Sequence, residues 1–111
     1  MGDDAGVPAV PVQTAIAGEG WLLDVREEHE WNAGHAPDAH WIPMSRFGER
    51  VDELPAGERI LVICRSGARS ATVTEALRDA GYDAVNVDGG MLAWQSAEGV
   101  LVAEGDASPR I

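Results

Sequence analysis

The chain has 111 residues, 45% hydrophobic and 24% charged, which suits one soluble globular domain and excludes a disordered, collagen-like or low-complexity segment. Nineteen acids face eight bases, all arginine, and the net charge of −11 argues against general affinity for nucleic acid or for an anionic membrane. The single cysteine, Cys64, can form no internal disulfide and supplies no cysteine-based metal cage. The longest apolar runs, such as Ile60–Cys64, are too short to cross a bilayer, and the opening Met1–Asp4 is acidic, unlike a signal segment. A cytoplasmic location is expected.

Residues Met1–Pro8 read as a loose start, and Val10, Val12 and Ile16 supply a short strand and a turn of helix that Gly18-Glu19-Gly20 ends. Trp21–Val25 is a short apolar run bounded by glycine and charge, a buried strand. Glu27 and Glu28 place acid in the first turn of a short helix stopped at Gly34. Trp41-Ile42-Pro43 suggests a brief strand, and Phe47, Val51 and Leu54 recur at helical spacing before Pro55 and Gly57. Arg59–Cys64 is a continuous apolar run, as expected of a central strand covered on both faces. Val73, Ala76, Leu77 and Ala80 then mark a helix with Gly81 at its end. Ala84–Val87 forms another strand, and Gly89-Gly90 opens a last helix through Met91, Leu92 and Trp94. Strands alternating with helices predict an α/β fold with a mostly parallel central sheet flanked by helices. No repeat or long linker divides the chain, so residues 1–111 form one domain, with a core over about 8–104, loose termini and no demand for a dimer.

Chemistry concentrates after the central strand. Ligands in open α/β sheets bind at the carboxyl ends of strands, and the loop that starts at Cys64 there feeds a helix N-terminus. Gly67 lets the backbone curl so that N–H groups of Arg65, Ser66, Gly67, Ala68, Arg69 and Ser70 point inward as an anion nest. Arg65 and Arg69 add two charges inside an acidic protein. A thiol in that field gains thiolate and becomes nucleophilic, and the same cradle suits an oxyanion. A lone strand cysteine is otherwise most often a small buried hydrophobe, and the arginines could pair with nearby acids.

The segment LLDVREEHEWNAGHAPDAHWIP (Leu22–Pro43) resembles the first signature of rhodanese-like sulfurtransferase domains. ILVICRSGARSATVTEALRDAGYDAVNVDGGMLAW (Ile60–Trp94) resembles the second, which carries the active-site loop. The resemblance implies a rhodanese-like three-layer fold with Cys64 as the catalytic cysteine. Cys64 would take a sulfane sulfur from a donor such as thiosulfate, become a persulfide, and pass the sulfur to cyanide, a thiol or a protein. Arg65 and Arg69 would hold the donor's oxygens, and no cofactor or metal is called for. Asp24 and Arg26 match the DVR of the first signature, with a structural role expected for Asp24 and either the pocket rim or an acid partner for Arg26. His35 matches a family histidine expected to be a structural hydrogen-bonder. The sequence departs from the pattern at Asp38, where glycine is usual, and at His40-Trp41, where smaller residues are.

Other signals weigh less. His29, His35 and His40 lack the spacing of a zinc-binding helix, and Leu23 stands where a dinucleotide fingerprint begun at Gly18 needs its third glycine. Trp21, Trp31, Trp41 and Trp94 are expected in the core and pocket walls. A cysteine phosphatase is the nearest rival, but Cys64 and Arg69 enclose four residues, one fewer than in the phosphatases of this fold. Arsenate reduction lacks a second cysteine for an internal relay. A non-enzymatic sulfur carrier or regulatory docking module is the alternative from another class. The acidic surface favours a basic protein partner.

Overall fold

The computed structural model describes residues 7–105 and 107–111, so most of the predicted loose start lies outside the described residues. In chain order the elements are β1 (Ala9–Val10), α1 (Val12–Ile16), β2 (Trp21–Asp24), α2 (Glu28–Ala33) and β3 (His40–Trp41). They continue with α3 (Phe47–Arg50), β4 (Ile60–Ile63), α4 (Ala68–Asp79), β5 (Ala84–Val87) and α5 (Gly90–Ser96). The five strands form one sheet in the order β1-β5-β4-β2-β3, every pairing parallel. β4 is central, as its unbroken apolar run requires, and all four of its residues are buried.

Side chains alternate across the sheet and sort the core into two layers. Leu61 and Ile63 of β4, Leu22 of β2 and Val85 and Val87 of β5 pack with Val12 and Ala15 of α1 and Met91 and Trp94 of α5. On the other face, Ile60, Val62 and Cys64 join Leu23, Val25, Ile42 and Leu54 under Val73 and Leu77 of α4. Cys64 thus inherits its direction from strand parity, although it stands one residue beyond the end of β4.

Three elements differ in detail from the sequence reading. The helix expected over residues 46–54 is a single α-turn, α3, between 3-10 turns at Met44–Arg46 and Val51–Glu53. Of its spaced apolar residues only Leu54 is buried, so no continuous apolar stripe draws the segment into one helix. The inner face of α4 is Ser70, Val73, Thr74 and Leu77, while Ala76 and Ala80 are exposed. The period holds, but polar Ser70 and Thr74 complete the stripe. β3 begins one residue earlier than expected, at His40.

The carboxyl end is not loose. His35 and Val102 form an antiparallel bridge, the Arg110 N–H donates to the Ala33 carbonyl at 2.9 Å, and half-buried Ile111 packs on the α1–α5 layer. A side chain at Gly34 would collide with the Arg110 backbone, so glycine there admits the returning chain.

Burial on both faces makes β4 the most sensitive position. Leu61→Ala is expected to lower stability by about 2–5 kcal/mol, read as a urea midpoint shift with unchanged slope. Val100→Ala, at a residue 65% exposed, is expected to stay within about 0.5 kcal/mol.

Candidate active site

The carboxyl ends of β4 and β5 and the start of α4 enclose the Cys64 sulfur. The thiol is 1% exposed. The Gly67 N–H points to Sγ at 3.1 Å and the Ser70 N–H at 3.3 Å, while the Ser70 hydroxyl lies 3.2 Å away. Gly67, with φ of +111°, makes the curl at the N-terminus of α4. Burial pushes the thiol pKa up. The Ser70 hydroxyl and the N–H groups of Ser70, Gly67 and Ser66 together outweigh it and hold Cys64 below the ordinary thiol range.

Asn86 is a neighbour that the sequence reading passed over. It lies in β5 opposite Val62, on the face that Cys64 shares. Its Oδ1 accepts from the Ser70 hydroxyl at 2.6 Å, and its amide donates to the Gly67 carbonyl at 3.1 Å. Ser70 therefore has one proton and two acceptors, Asn86 Oδ1 and a thiolate at Sγ. A polar residue inside the otherwise apolar AVNV was the available signal.

The loop is gripped from below by α5. The Met91 N–H donates to the Cys64 carbonyl at 2.8 Å and the Leu92 N–H to the Arg65 carbonyl at 3.0 Å. Gly89 and Gly90 both have positive φ, and a side chain at Gly90 would strike the Cys64 and Arg65 backbone. The two glycines serve backbone geometry at the entry to α5.

The structure separates the two loop arginines. Arg69 donates to both Glu30 carboxylate oxygens, at 2.7 and 2.8 Å, and this pairing first of all draws Glu30 down to about 2. Glu30 also accepts from the Glu27 N–H in the capping box that starts α2. Arg69 is thus committed to α2, against the expectation that it stands free for an oxyanion. Arg65 is exposed beside the loop, along with Ser66 and Ala68.

Asp24 and Arg26 form a buried ion pair, 0% and 1% exposed, with Arg26 Nη2 2.8 Å from Asp24 Oδ2. Asp24 also accepts the Arg26 backbone N–H, and the guanidinium reaches the Glu30 and Gly34 carbonyls. His35 is buried, donates from Nδ1 to the Trp31 carbonyl and stacks on the Trp31 ring with centroids 3.5 Å apart. Trp41 stacks on Trp31 and donates to the Arg26 carbonyl, and His40 meets Glu53 at 2.9 Å. Two of the residues that depart from the family pattern, His40 and Trp41, thus have partners of their own. Trp94 alone of the tryptophans is fully in the core. Among the described residues there is no cluster of ligands for a metal ion and no helix long and apolar enough to cross a membrane.

The fold and site define a parallel α/β domain whose single thiol is cradled by backbone N–H groups on the loop after the central strand. The rhodanese-like domain model matches residues 11–97, and the chain belongs to that family. It is 42% identical over 75 residues to the putative sulfurtransferase YtwF of Bacillus subtilis, covering 68% of this chain and 73% of that protein. It is 38% identical over 112 residues to the HTH-type transcriptional regulator Rv0324 of Mycobacterium tuberculosis, covering 94% of this chain but 49% of the regulator. A rhodanese-related protein from Thermoplasma volcanium superposes with a TM-score of 0.80 at 29% identity, over 87% of this chain and 99% of that one.

Two outcomes test the cradle. Ser70→Ala is expected to raise the pH midpoint of Cys64 alkylation by iodoacetamide, since the thiolate loses its hydroxyl donor while the N–H groups remain. Gly90→Ala is expected to cost about 2 kcal/mol or more in urea unfolding, because it combines a positive φ with a methyl driven into the loop.

Proposed function

We propose that this protein is a sulfurtransferase that carries sulfane sulfur as a persulfide on Cys64, with residues 1–111 acting as one domain. The observation that carries this reading is the buried sulfur held below the ordinary thiol range by Ser70 and by N–H groups of the 66–70 backbone. Relationship to a putative sulfurtransferase supports the same chemistry.

With thiosulfate as donor, the Cys64 thiolate attacks the outer sulfur, the S–S bond of thiosulfate breaks, and sulfite leaves with the electron pair. The anionic persulfide then sits where the loop N–H groups already point, so charge stabilisation needs no rearrangement. Cyanide, a thiol or a protein thiolate attacks the outer sulfur of the persulfide and returns Cys64 to the thiolate. With a single cysteine in the chain, that acceptor must come from outside. Arg65 attracts the anionic donor to the loop. Asp24, Arg26 and Arg69 act through the architecture, holding α2 against the loop.

A regulatory module is the second reading, and one observation favours it: the matched part of the regulator Rv0324 takes in almost the whole of this chain. A docking module need not load sulfur on Cys64 or turn over, which is what separates the two readings.

The test is thiocyanate formation from thiosulfate and cyanide by wild type and Cys64→Ser, with the mass of Cys64 followed after donor alone. Turnover in the wild type only, and a gain of one sulfur atom on Cys64, are expected. A thiol that gains no sulfur from thiosulfate or from small persulfides would overturn the reading. Arg65→Ala is expected to lower kcat/KM for thiosulfate by about tenfold, corresponding to one charge-assisted contact.

A further inference from the structure

Asn86 is the one polar side chain of β5, it is only 7% exposed, and no step of the sulfur transfer touches it. Its orientation is fixed by a neighbour that can only accept. The Gly67 carbonyl lies 3.1 Å from Nδ2, so the amide N–H must face it and Oδ1 must face Ser70. At 2.6 Å from the Ser70 oxygen, Oδ1 holds the hydroxyl proton. The Cys64 sulfur, 3.2 Å from the same oxygen, then meets only its lone pairs, which suit an S–H donor and not a thiolate.

One hydroxyl proton therefore distinguishes two states of the site. While Cys64 is a thiol, S–H points to the Ser70 oxygen, the Ser70 O–H points to Asn86, and each group has a partner. Once Sγ is an anion, the hydroxyl turns to it, because a bond to a charged acceptor is stronger than one to an amide oxygen. Asn86 Oδ1 then loses its donor. The Ser70 N–H already lies 3.3 Å from Sγ, so the O–H can turn without any shift of the backbone. In a persulfide, Sγ is a neutral divalent sulfur and a weak acceptor, and the hydroxyl returns to Asn86.

We propose that Asn86 is a positioning residue that holds the Ser70 hydroxyl proton whenever Cys64 Sγ is uncharged and yields it when Sγ becomes an anion. The proton never leaves Ser70, and only the direction of its bond changes. For the free thiol this stands by itself, whereas its extension to the persulfide rests on the sulfur-transfer reading above. There, cyanide attacks the outer sulfur, the S–S bond of the persulfide breaks, and thiocyanate leaves. The electron pair of that bond returns to Cys64 as the thiolate, and the hydroxyl turns with it. Charged and titratable groups also surround the loop: Arg65 and Arg69 on it, His29, Glu30 and the Asp24–Arg26 pair on the α2 side, and Asp88 beyond β5. None of them is altered in the tests.

The experiment reads Cys64 alkylation by iodoacetamide against pH in wild type, Asn86→Leu, Ser70→Ala and the double variant, each checked for folding by urea. Asn86→Leu is expected to shift the midpoint downward, because the hydroxyl no longer has a competing acceptor. A merely structural Asn86 gives the opposite sign, since losing its bond to the Gly67 carbonyl loosens the N–H cradle. In the Ser70→Ala background the downward shift is expected to vanish. A second measurement needs no change at Asn86. In labelled wild type, the Asn86 side-chain amide resonances are expected to titrate with the Cys64 midpoint, and to cease doing so in Ser70→Ala. Above that midpoint, loading with thiosulfate is expected to return them to their low-pH positions, and cyanide to reverse the change. A midpoint that stays or rises in Asn86→Leu, or falls equally without Ser70, overturns the role of Asn86. So do amide resonances indifferent to Cys64, or ones that keep their thiolate positions after Cys64 has gained a sulfur atom. The expected shifts on a thiol that gains no sulfur by mass keep the role of Asn86 and overturn the sulfur-transfer reading instead.

Discussion

The guanidinium of Arg26 is a charge held almost wholly out of water, and much of the site hangs from it. Such a pair gains little net stability over apolar packing, because desolvation offsets the attraction, yet removing one partner typically costs about 3–5 kcal/mol. Its value here is positional. Asp24 fixes the guanidinium at the end of β2, and the donors left over reach the Glu30 and Gly34 carbonyls at either end of α2. The Arg26 carbonyl in turn receives the Trp41 ring N–H from β3. A helix of six residues has too little intrinsic stability to hold a place by itself. Anchored by Arg26, it presents Glu30 to Arg69 and the Ala33–Gly34 backbone to Arg110. The thiol loop and the returning carboxyl end are therefore both referenced to one buried charge.

Short-range contacts explain how an acidic protein holds a buried thiol below its ordinary range. The net charge of −11 raises the cost of any further negative charge, but at a distance and through solvent, where salt screens it. The groups that favour the thiolate touch it: two N–H vectors at 3.1 and 3.3 Å and a hydroxyl at 3.2 Å, in a site water does not reach. Short-range donors in a poorly solvated pocket outweigh a diffuse field. Arg69 adds a weaker coulombic attraction, since the Cys64 charge is among the causes that raise its own pKa. Its pairing with Glu30 fixes the loop's outer side, and because the pairing depresses the carboxyl to about 2, it is present above the ordinary carboxylate range and lost only as the pH falls through about 2.

The sheet was readable from sequence because its inner strands are short, largely apolar runs between turn residues, and β4 is apolar throughout because both its faces are covered. The loop after it was readable because its chemistry is contiguous: cysteine, arginine and glycine in six residues, then a helix. What sequence hid was contact across distance. Nothing local to Arg69 or Glu30, 39 positions apart, says that they meet. Asn86 joins the site only once register sets it opposite Val62 and parity turns it toward α4. Residues 46–54 misled for the opposite reason, since helical spacing of Phe47, Val51 and Leu54 predicts a helix only if a partner surface covers all three. Here Leu54 is buried, Phe47 is covered only in part and Val51 is exposed. The carboxyl end carries no periodicity at all, and its docking is announced only by a glycine, Gly34, whose reason is steric.

A single thiol sets a last constraint on the proposed chemistry. Donor and acceptor must reach the same sulfur in turn, since no second cysteine can draw the persulfide away. The loop has cleft space on both sides: the arginine-lined wall beside Arg65, and a second opening lined by Ser66, Gly67, Ala68, Asn86 and Asp88. The two differ in charge. With Cys64 only 1% exposed, an approach from either side to the proposed persulfide requires the loop around the sulfur to open.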